Sequence, residues 1–442
     1  MIASPSAPPP PSPELAGPSL PRLLASLGQA QPQQAIPLSL HRRTYPPPPA
    51  PRRKPIESYI AAIETAGLRG RGGAGFPTGR KLRTVSQGGS RPVVVVNGSE
   101  GEPASRKDAL LMTRMPHLVL DGALLAAAAI GAVEVVVCVE RVKHQAISAL
   151  ERAIHERIQA GEQMPPVYVM DIPAKYVAGE ETALVHFVNG GESKPTMTPP
   201  RPFQKGVGGR PTLIDNVETL CHLAQIIRWG PTWFRGHGTN DEPGTVLLTL
   251  SGAVTHQGVC EMPIGMSMHT VLSSARPTQE VGAVLLGGYY GTWVSAADAR
   301  WITMDNAALR QIGSGLGCGA MVVLPTHACG LRETARVLKW LAGETAGQCG
   351  PCVHGLAAIA GGMGELAVGK ATNHTVELLH RWGGQVEGRG ACSFPDGAVR
   401  LLRSALKVFA DDVQHHISHG PCWGARQAPV LSIPAQRAES WR

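Results

Sequence analysis

The sequence predicts three parts in order: an α/β domain, a small α+β domain and a C-terminal helical bundle. Three observations lead there. Arg91-Pro92-Val93-Val94-Val95-Val96-Asn97 reads as a buried strand inside a helix–strand alternation. Short strands then recur from Thr245 to Leu324, and from His327 onward the pattern turns helical. A chain of 442 residues has room for two or three such domains.

In the first part, Glu57–Glu64 has helical spacing, with Tyr59, Ile60 and Ile63 apolar. After the Arg91–Asn97 strand comes an apolar run, Leu118 to Val139, about as long as a membrane span of ~20 residues. Asp121 and Glu134 interrupt it. Its first half is Ala/Leu-rich and its second is Val-rich, so a helix–turn–strand unit with Gly131 at the turn is expected. A second helix (145–160) and strand (166–170) follow. Thr212 to Leu220 places Asp215 or Asn216 as the cap of a helix running toward Trp229. The turn Asn240-Asp241-Glu242-Pro243-Gly244 marks a domain boundary.

The second part offers strands at Thr245–Ser251, Gly258–Met262 and Ala283–Leu286, a helix near His269–Ser274, and a last apolar stretch over 317–324. Helices at 332–342, 355–368, 376–384 and 397–415 suggest a four-helix bundle. The expected boundaries are residues 1–55 for a disordered Pro-rich tail, 56–240, 241–326 and 327–420 for the three domains, and 421–442 for a C-terminal tail.

Composition removes several classes. Residues 1–55 hold 16 of the 38 prolines and contain no charged segment followed by an apolar one, so no secretory signal is read there. Half of the net charge of +8 lies in the first 60 residues, and no aromatic-interleaved basic module accompanies it, which sets nucleic acid aside. Nine cysteines, an odd number without an export signal, indicate reduced thiols and a cytoplasmic protein without direct membrane insertion. Cys138, Cys221, Cys260 and Cys318 lie in apolar surroundings and read as core residues.

Chemistry concentrates in a few motifs. Leu68 to Lys81 packs five glycines among four cations, a loop whose N–H groups can cradle a phosphate. Gly70, Gly72 and Gly75 spell G-x-G-x-x-G, but a helix precedes them and Phe76-Pro77-Thr78-Gly79 is a poor helix start. The Rossmann context is therefore missing. Two acidic turns, Gly98-Ser99-Glu100-Gly101-Glu102-Pro103 and Tyr176-Val177-Ala178-Gly179-Glu180-Glu181, suit the ribose or ring end of the same ligand. Cys349-Gly350-Pro351-Cys352 lies between the first two bundle helices, and Cys392 precedes the fourth. His415 and His419 have the i, i+4 spacing of a zinc pair. They have no Cys or acid in register, so a solvated helix end is expected.

Four of these stretches together resemble the flavoprotein (51 kDa, or F) subunit of respiratory NADH dehydrogenase and related hydrogenase and formate dehydrogenase subunits. They are Gly70 to Gly79, Asn97 to Pro103, Gly179-Glu180-Glu181-Thr182 and Pro211 to Thr219. The resemblance covers about residues 55 to 412. It implies an α/β FMN-binding domain, a ubiquitin-like β-grasp domain of the soluble-ligand-binding (SLBB) type, and an α-helical bundle with a [4Fe–4S] site. It assigns Gly70, Arg71, Gly72, Gly73 and Lys81 to the FMN phosphate. Asn97, Glu100, Gly101, Tyr176, Gly179 and Glu180, with Ile214, Asp215, Asn216 and Thr219, go to the flavin and ribityl chain. Phe76, Glu102 and Glu181 go to the nicotinamide side. The implied reaction passes a hydride from NAD(P)H to FMN and then single electrons through the cluster to a ferredoxin or thioredoxin-like [2Fe–2S] partner subunit. Association with a membrane complex would then come through partners. The alternatives are an FMN relay that does not use NADH, and a structural paralogue with a degraded cluster site.

Departures from the family pattern carry information. Ala346 stands where the first cluster cysteine is expected, leaving Cys349, Cys352 and Cys392, whereas a cubane takes four ligands. Cys422 is the leading fourth ligand, with His354 and Cys329 behind it. Ser99 replaces an acidic residue, and Asp215 replaces an Asn. Leu82, Thr84 and Arg201 stand where the resemblance places aromatics beside the adenine. Arg201 can stack by its guanidinium plane, and with Arg80 it can favour an additional phosphate.

Overall fold

The computed structural model describes residues 22–29, 34–48, 55–89, 91–436 and 439–442. Four parallel strands form the first sheet: β1 (Val93–Gly98), β2 (Glu134–Glu140), β3 (Val167–Ile172) and β4 (Thr212–Asn216), in the order β3-β2-β1-β4. Strands buried on both faces need no alternation, which is why β1 reads as an unbroken valine run. Val94 and Val96 face the larger core under helix Pro116–Ile130, while Val93 and Val95 face a smaller one with Leu184 and Ile214.

The apolar run folds as expected into helix Pro116–Ile130, Gly131 at φ 68° and strand β2. Among the described residues no single helix is long and apolar enough to cross a membrane. Gly122 belongs to the packing of that helix, since a Cβ there would lie 2.2 Å from Leu220 O. Asp121 interrupts the run because it is an ionic hub. Arg157 and Arg228 each reach it at 2.6 Å and His41 Nε2 at 2.8 Å. Burial works against the Asp121 charge, but these partners outweigh it and hold the carboxyl well below its usual range.

The second sheet is mixed: β5 (Thr245–Gly252), β6 (Gly258–Pro263), β7 (Val281–Leu286), β8 (Thr292–Ser295) and β9 (Ala320–Pro325), in the order β6-β5-β9-β7-β8. β9 enters the middle, parallel to β5 and antiparallel to β7. Alternation now appears as it should in a two-faced sheet. Val284, Leu286, Met321 and Val323 pack on helix Met268–Ala275, while Ala283, Leu285, Val322 and Leu324 pack on the bundle.

The bundle contains helices Gly330–Gly343, Leu356–Ala367, Asn373–Val386, Phe394–Val408 and Ala410–His419. The single helix expected over 397–415 is therefore two, broken at Phe409, whose ring packs against Trp293 at 5.2 Å.

The Pro-rich beginning is also corrected in part. Residues 22–29 and 34–48 lie against the α/β domain, with helix Leu38–Thr44 and with Leu23, Ile36 and Tyr45 buried. Apolar side chains spaced among the prolines decide the outcome there, and Leu23 N–H donates to Glu261 Oε2 at 2.8 Å. Residues 1–21 and 49–54, where extended disordered chain is expected, lie outside the described residues. From Cys422 onward the C-terminal segment returns over the bundle to the first domain. Leu431 N–H donates to Glu333 Oε2, Tyr289 OH to Ser432 O, and Ser193 N–H to Trp441 O.

Removing one member of a buried ion network leaves the others uncompensated. Asp121→Ala should therefore destabilise the α/β domain by roughly 3–5 kcal/mol, read as an earlier urea transition. Because the native carboxyl titrates below its unfolded value, the Asp121 contribution is complete above about pH 4 and is lost as pH falls below it. Urea midpoints of wild type and variant should converge in acid.

Candidate functional site: a cleft at the sheet edge beside three thiols

In a parallel sheet, ligands gather where strand order reverses, outside the carboxyl ends of the strands. Here β1 connects onward to β2 on one side, and β4 returns on the other. Asn97 and Asn216, the last residues in that β1–β4 register, lie side by side. Asn97 Nδ2 donates to Gly179 O at 2.8 Å, and Asn216 Nδ2 donates to Asp108 Oδ2 at 2.7 Å. A cleft of about 830 Å³ opens above them, within the usual range for a cofactor site. Both asparagines line it, with Gly72 and Gly73, Glu100, Gly101 and Glu102, and Tyr176, Gly179, Glu180 and Glu181. Four separate sequence stretches thus meet at one place.

The glycine loop is pinched at its neck. Arg69 pairs with Pro77, Gly70 N–H donates to Phe76 O and Thr78 N–H to Leu68 O, both at 2.9 Å. Arg71 N–H donates to Thr219 Oγ1 at 2.8 Å. The N–H groups of Gly72, Gly73 and Ala74 take no partner among the described residues, and all three residues line the cleft. Gly73, at φ 114°, uses a conformation closed to most side chains. Three adjacent free donors on a cofactor-sized cleft fit an FMN phosphate.

A helix, Thr78–Gln87, does follow the loop, contrary to expectation. Gly79 is a packing residue in it rather than a breaker: a Cβ there would lie 2.9 Å from Glu64 N in the preceding helix. Leu82 and Val85 then form its buried face.

Arg71 and Lys81, the two cations of the motif assigned to the phosphate, do not line the cleft. Lys81 Nζ donates to Ile214 O at 2.7 Å and stands 3.8 Å from Asp215 Oδ1. The Arg71 guanidinium is buried toward Pro243 O, in the field of Glu218 and Glu242, and its Nε has no partner. Arg201 and Arg400 line the cleft but are exposed, and the buried cation that lines it is Lys107, which sequence reasoning missed. Its Nζ lies 2.9 Å from Asp108 Oδ1, 3.0 Å from Glu218 Oε2 and 3.4 Å from Asn216 Oδ1. Burial opposes its charge, but Asp108, Glu218 and Glu100 outweigh that and keep it protonated. The available signal was a lysine opening the helix just after the acidic turn.

The acidic residues divide by task. Glu100 accepts the N–H groups of Asp108 and Ala109, both at 2.9 Å, and so caps helix Lys107–Arg114. Glu180 is the N-cap of helix Glu181–Val188, accepting from Thr182 and Ala183. These carboxylates are engaged by helix starts. Glu102 accepts from Tyr176 OH at 2.9 Å, Tyr289 N–H at 2.8 Å and Ala104 N–H at 3.0 Å. Burial nevertheless pushes its carboxyl up to about 7. Glu181 pairs with Arg201 at 3.3 Å on an open surface, where such a pair contributes little. Phe76 is 45% exposed, with the Arg80 guanidinium 5.9 Å from its ring centre, and it does not line the cleft.

Cys392 lines the far end of the same cleft, and Cys349 and Cys352 lie within its electrostatic reach. Burial pushes Cys352 up to about 12 and Cys392 upward. Burial also opposes ionisation of Cys349, but N–H groups of Ala391 and Cys352 outweigh it and hold this thiol below its ordinary value. Convergent thiols with amide donors fit an iron–sulfur cluster on three sides. The expected fourth ligand is corrected. Cys422 lies instead against His416, whose Nδ1 meets Leu366 O at the distal end of helix Leu356–Ala367. Cys352 precedes the other end, so some 14 helical residues, roughly 20 Å, separate the two places. Cys329 stands with Cys422, and His354 is exposed.

Glu102 favours the neutral form in the folded protein, so native stability should fall as pH rises from about 4.5 through about 7. Glu102→Gln should flatten that limb, a difference on the order of 3 kcal/mol between mildly acidic and alkaline buffer. Denaturation midpoints across that pH range provide the check.

Comparison with known proteins agrees with this arrangement. Residues 63–225 match the family model of the Nuo51 FMN-binding domain, and residues 332–416 match that of the NADH-ubiquinone oxidoreductase-F iron-sulfur binding region. The second F subunit of the NADH-quinone oxidoreductases of Rhizobium meliloti is 32% identical over 83% of this chain and 90% of its own length. The corresponding F subunit of Mycobacterium bovis is 31% identical, over 83% of this chain and 86% of its own. A chain of an NAD+-reducing [NiFe]-hydrogenase, solved in the H2-reduced state, superposes with a TM-score of 0.77 at 28% identity, covering 90% of this chain and 72% of that one. The chain belongs to the family of the F subunit of NADH-quinone oxidoreductases.

Proposed function

We propose that this chain is the NADH-oxidising subunit of a multisubunit oxidoreductase, with FMN in the cleft at the β1–β4 edge and a [4Fe–4S] cluster on Cys349, Cys352 and Cys392. The observation that carries it is the shared wall: Cys392 lines the cleft that also presents the free N–H groups of Gly72, Gly73 and Ala74. Bound FMN would accept a hydride and release electrons singly, which is why the two cofactors belong side by side.

The chain's own groups divide the remaining work. Gly72, Gly73 and Ala74 would hold the phosphate, and Asn97 and Asn216 would flank the ribityl chain. Lys107 supplies the one buried positive charge among the cleft-lining side chains described. Glu102, poised near neutrality, can hold or release a proton at the wall formed by Tyr176 and Tyr289. Tyr176, Tyr290 and Phe394 pack edge-on or tilted with ring centres 4.5 to 5.5 Å apart, Tyr176 on Glu102 and Tyr290 in the field of Cys352 and Cys392. Glu181, Arg201 and Phe76 would form the nucleotide's entrance, with Arg80 and Arg201 available to its phosphates. Asp396 lies in the field of both Cys352 and Cys392 and is the side chain proposed to complete the ligation where Ala346 cannot.

The sheet order β6-β5-β9-β7-β8, with the last strand central, supports a β-grasp assignment for residues 241–326. That domain, and the bundle surface beside the cluster, would receive the [2Fe–2S] partner subunit.

Anaerobically purified protein should carry FMN and iron, and NADH should bleach the flavin absorbance. Cys349→Ser should keep flavin and bleaching while iron content and transfer to a ferredoxin each fall by at least an order of magnitude. A flavin reduced by dithionite or ferredoxin but never by NADH or NADPH would establish the relay reading in its place. Absence of both cofactors after reconstitution would overturn the proposal.

A further inference from the structure

Away from the cleft, three ligand-type side chains from separate segments meet. Cys329 comes from the loop opening helix Gly330–Gly343, His416 from helix Ala410–His419 and Cys422 from the segment beyond it. Their two sulfurs and one ring nitrogen all lie within 4.8 Å of one another. We propose that Cys329, His416 and Cys422 bind a zinc ion that fastens the C-terminal segment to the helical bundle.

The distances favour a single tetrahedral ion. Zn–S and Zn–N bonds of about 2.3 and 2.0–2.1 Å at a tetrahedral angle put sulfur and nitrogen about 3.6 Å apart. Cys329 Sγ lies 3.6 Å from His416 Nε2.

The ring is held as a zinc ligand would be. His416 is fully buried and its Nδ1 lies 2.9 Å from Leu366 O, a carbonyl that can only accept. Nδ1 therefore carries the proton, and the Nε2 lone pair points toward the two thiols. A backbone carbonyl on the second nitrogen is the usual way a metal-binding histidine is oriented. At present that lone pair accepts the Cys422 N–H at 3.1 Å, so zinc entry exchanges this hydrogen bond for a coordinate bond and releases the two thiol protons. Arg332 N–H already points at Cys329 Sγ at 3.4 Å, a donor suited to a thiolate. Asp412 lies one helical turn before His416 and in the electrostatic field of both His416 and Cys329, and a water would complete the ion.

The site also has something to hold. Immediately after Cys422, the chain runs back across helix Gly330–Gly343 to the first domain. Structural zinc ions join segments that are remote in sequence, as Cys329 and Cys422 are here. His415 and His419, which have the expected i, i+4 spacing, stack on each other at 5.2 Å on the exposed side and are not part of the site.

The test uses the full chain with its flavin and cluster, grown with zinc and passed through gel filtration. Zinc per chain, measured by mass spectrometry beside iron and FMN, should be near stoichiometric. It should fall roughly tenfold or more in Cys422→Ser and in Cys329→Ser, with iron and FMN unchanged. Cobalt added to the zinc-stripped protein should give thiolate-to-cobalt charge transfer and the intense visible bands of a tetrahedral ion, and Cys422→Ser should abolish both. Cys422 is partly exposed on a surface segment, and unchanged FMN content certifies that its variant is folded. Trypsin should release the C-terminal segment faster from the stripped protein and from the variant. Zinc retained at wild-type level in both variants would overturn the proposal. So would a wild-type chain that takes up neither zinc nor cobalt, or one whose Cys329 and Cys422 are recovered as a disulfide.

Discussion

A buried ammonium sits under the cleft, and much of the molecule is arranged around it. Lys107 Nζ is held between Asp108 and Glu218 with essentially no exposure. Glu218 in turn accepts Leu247 N–H at 2.8 Å, binding the first strand of the second sheet to the helix that follows β4. Asp108 meets Asn216, and the next residue after Glu218, Thr219, accepts the Arg71 N–H of the glycine loop. Lys107 and its two carboxylates therefore connect the loop, the floor of the cleft and the neighbouring sheet. Buried charge of this kind adds little net stability over an apolar core, but breaking one side costs several kcal/mol, which gives the arrangement a single geometry.

The cluster end is built on a different principle. Its thiols lie at a helix start and a loop and are packed against aromatic rings, and two of the three are held protonated by burial. Such a place suits a multi-iron centre whose positive charge offsets thiolate desolvation. It is a poor place for unligated thiolates. With Ala346 offering no ligand atom, three thiols leave one side of such a centre open.

The long elements were legible because their patterns are strong: the valine run of β1, the Ala/Leu helix before Gly131 and the amphipathic bundle helices. The motifs that meet at the cleft were legible as a set, because glycine and acid turns at the ends of parallel strands are where such folds hold a ligand. What was not legible depends on partners remote in sequence. Lys107 looks like a helix-surface lysine until Glu218 and Asn216 are brought to it. Glu100 and Glu180 line the cleft as the motifs suggest, but that each also caps a helix start is visible only once the helices are in place. His416 sits beside a histidine pair with the expected spacing, yet it is the one turned inward, because its partners lie 87 residues before it and six after it. Among the prolines of the N-terminal segment, composition outweighed a few apolar residues that in fact fold against the domain.

The C-terminal segment has a consequence for biosynthesis. Synthesis proceeds from the N-terminus, and early domains begin folding while later ones are still on the ribosome. The loop at Ser193 and strand end at Arg141 belong to the first domain, yet Ser193 N–H donates to Trp441 O and Arg141 Nη1 to Arg442 O. Those parts of the first domain wait for residues made some 250 to 300 positions later. Because that loop leads into Thr198 and Arg201, which line the cleft, this stretch of the cleft wall is braced only once the segment carrying Trp441 has docked.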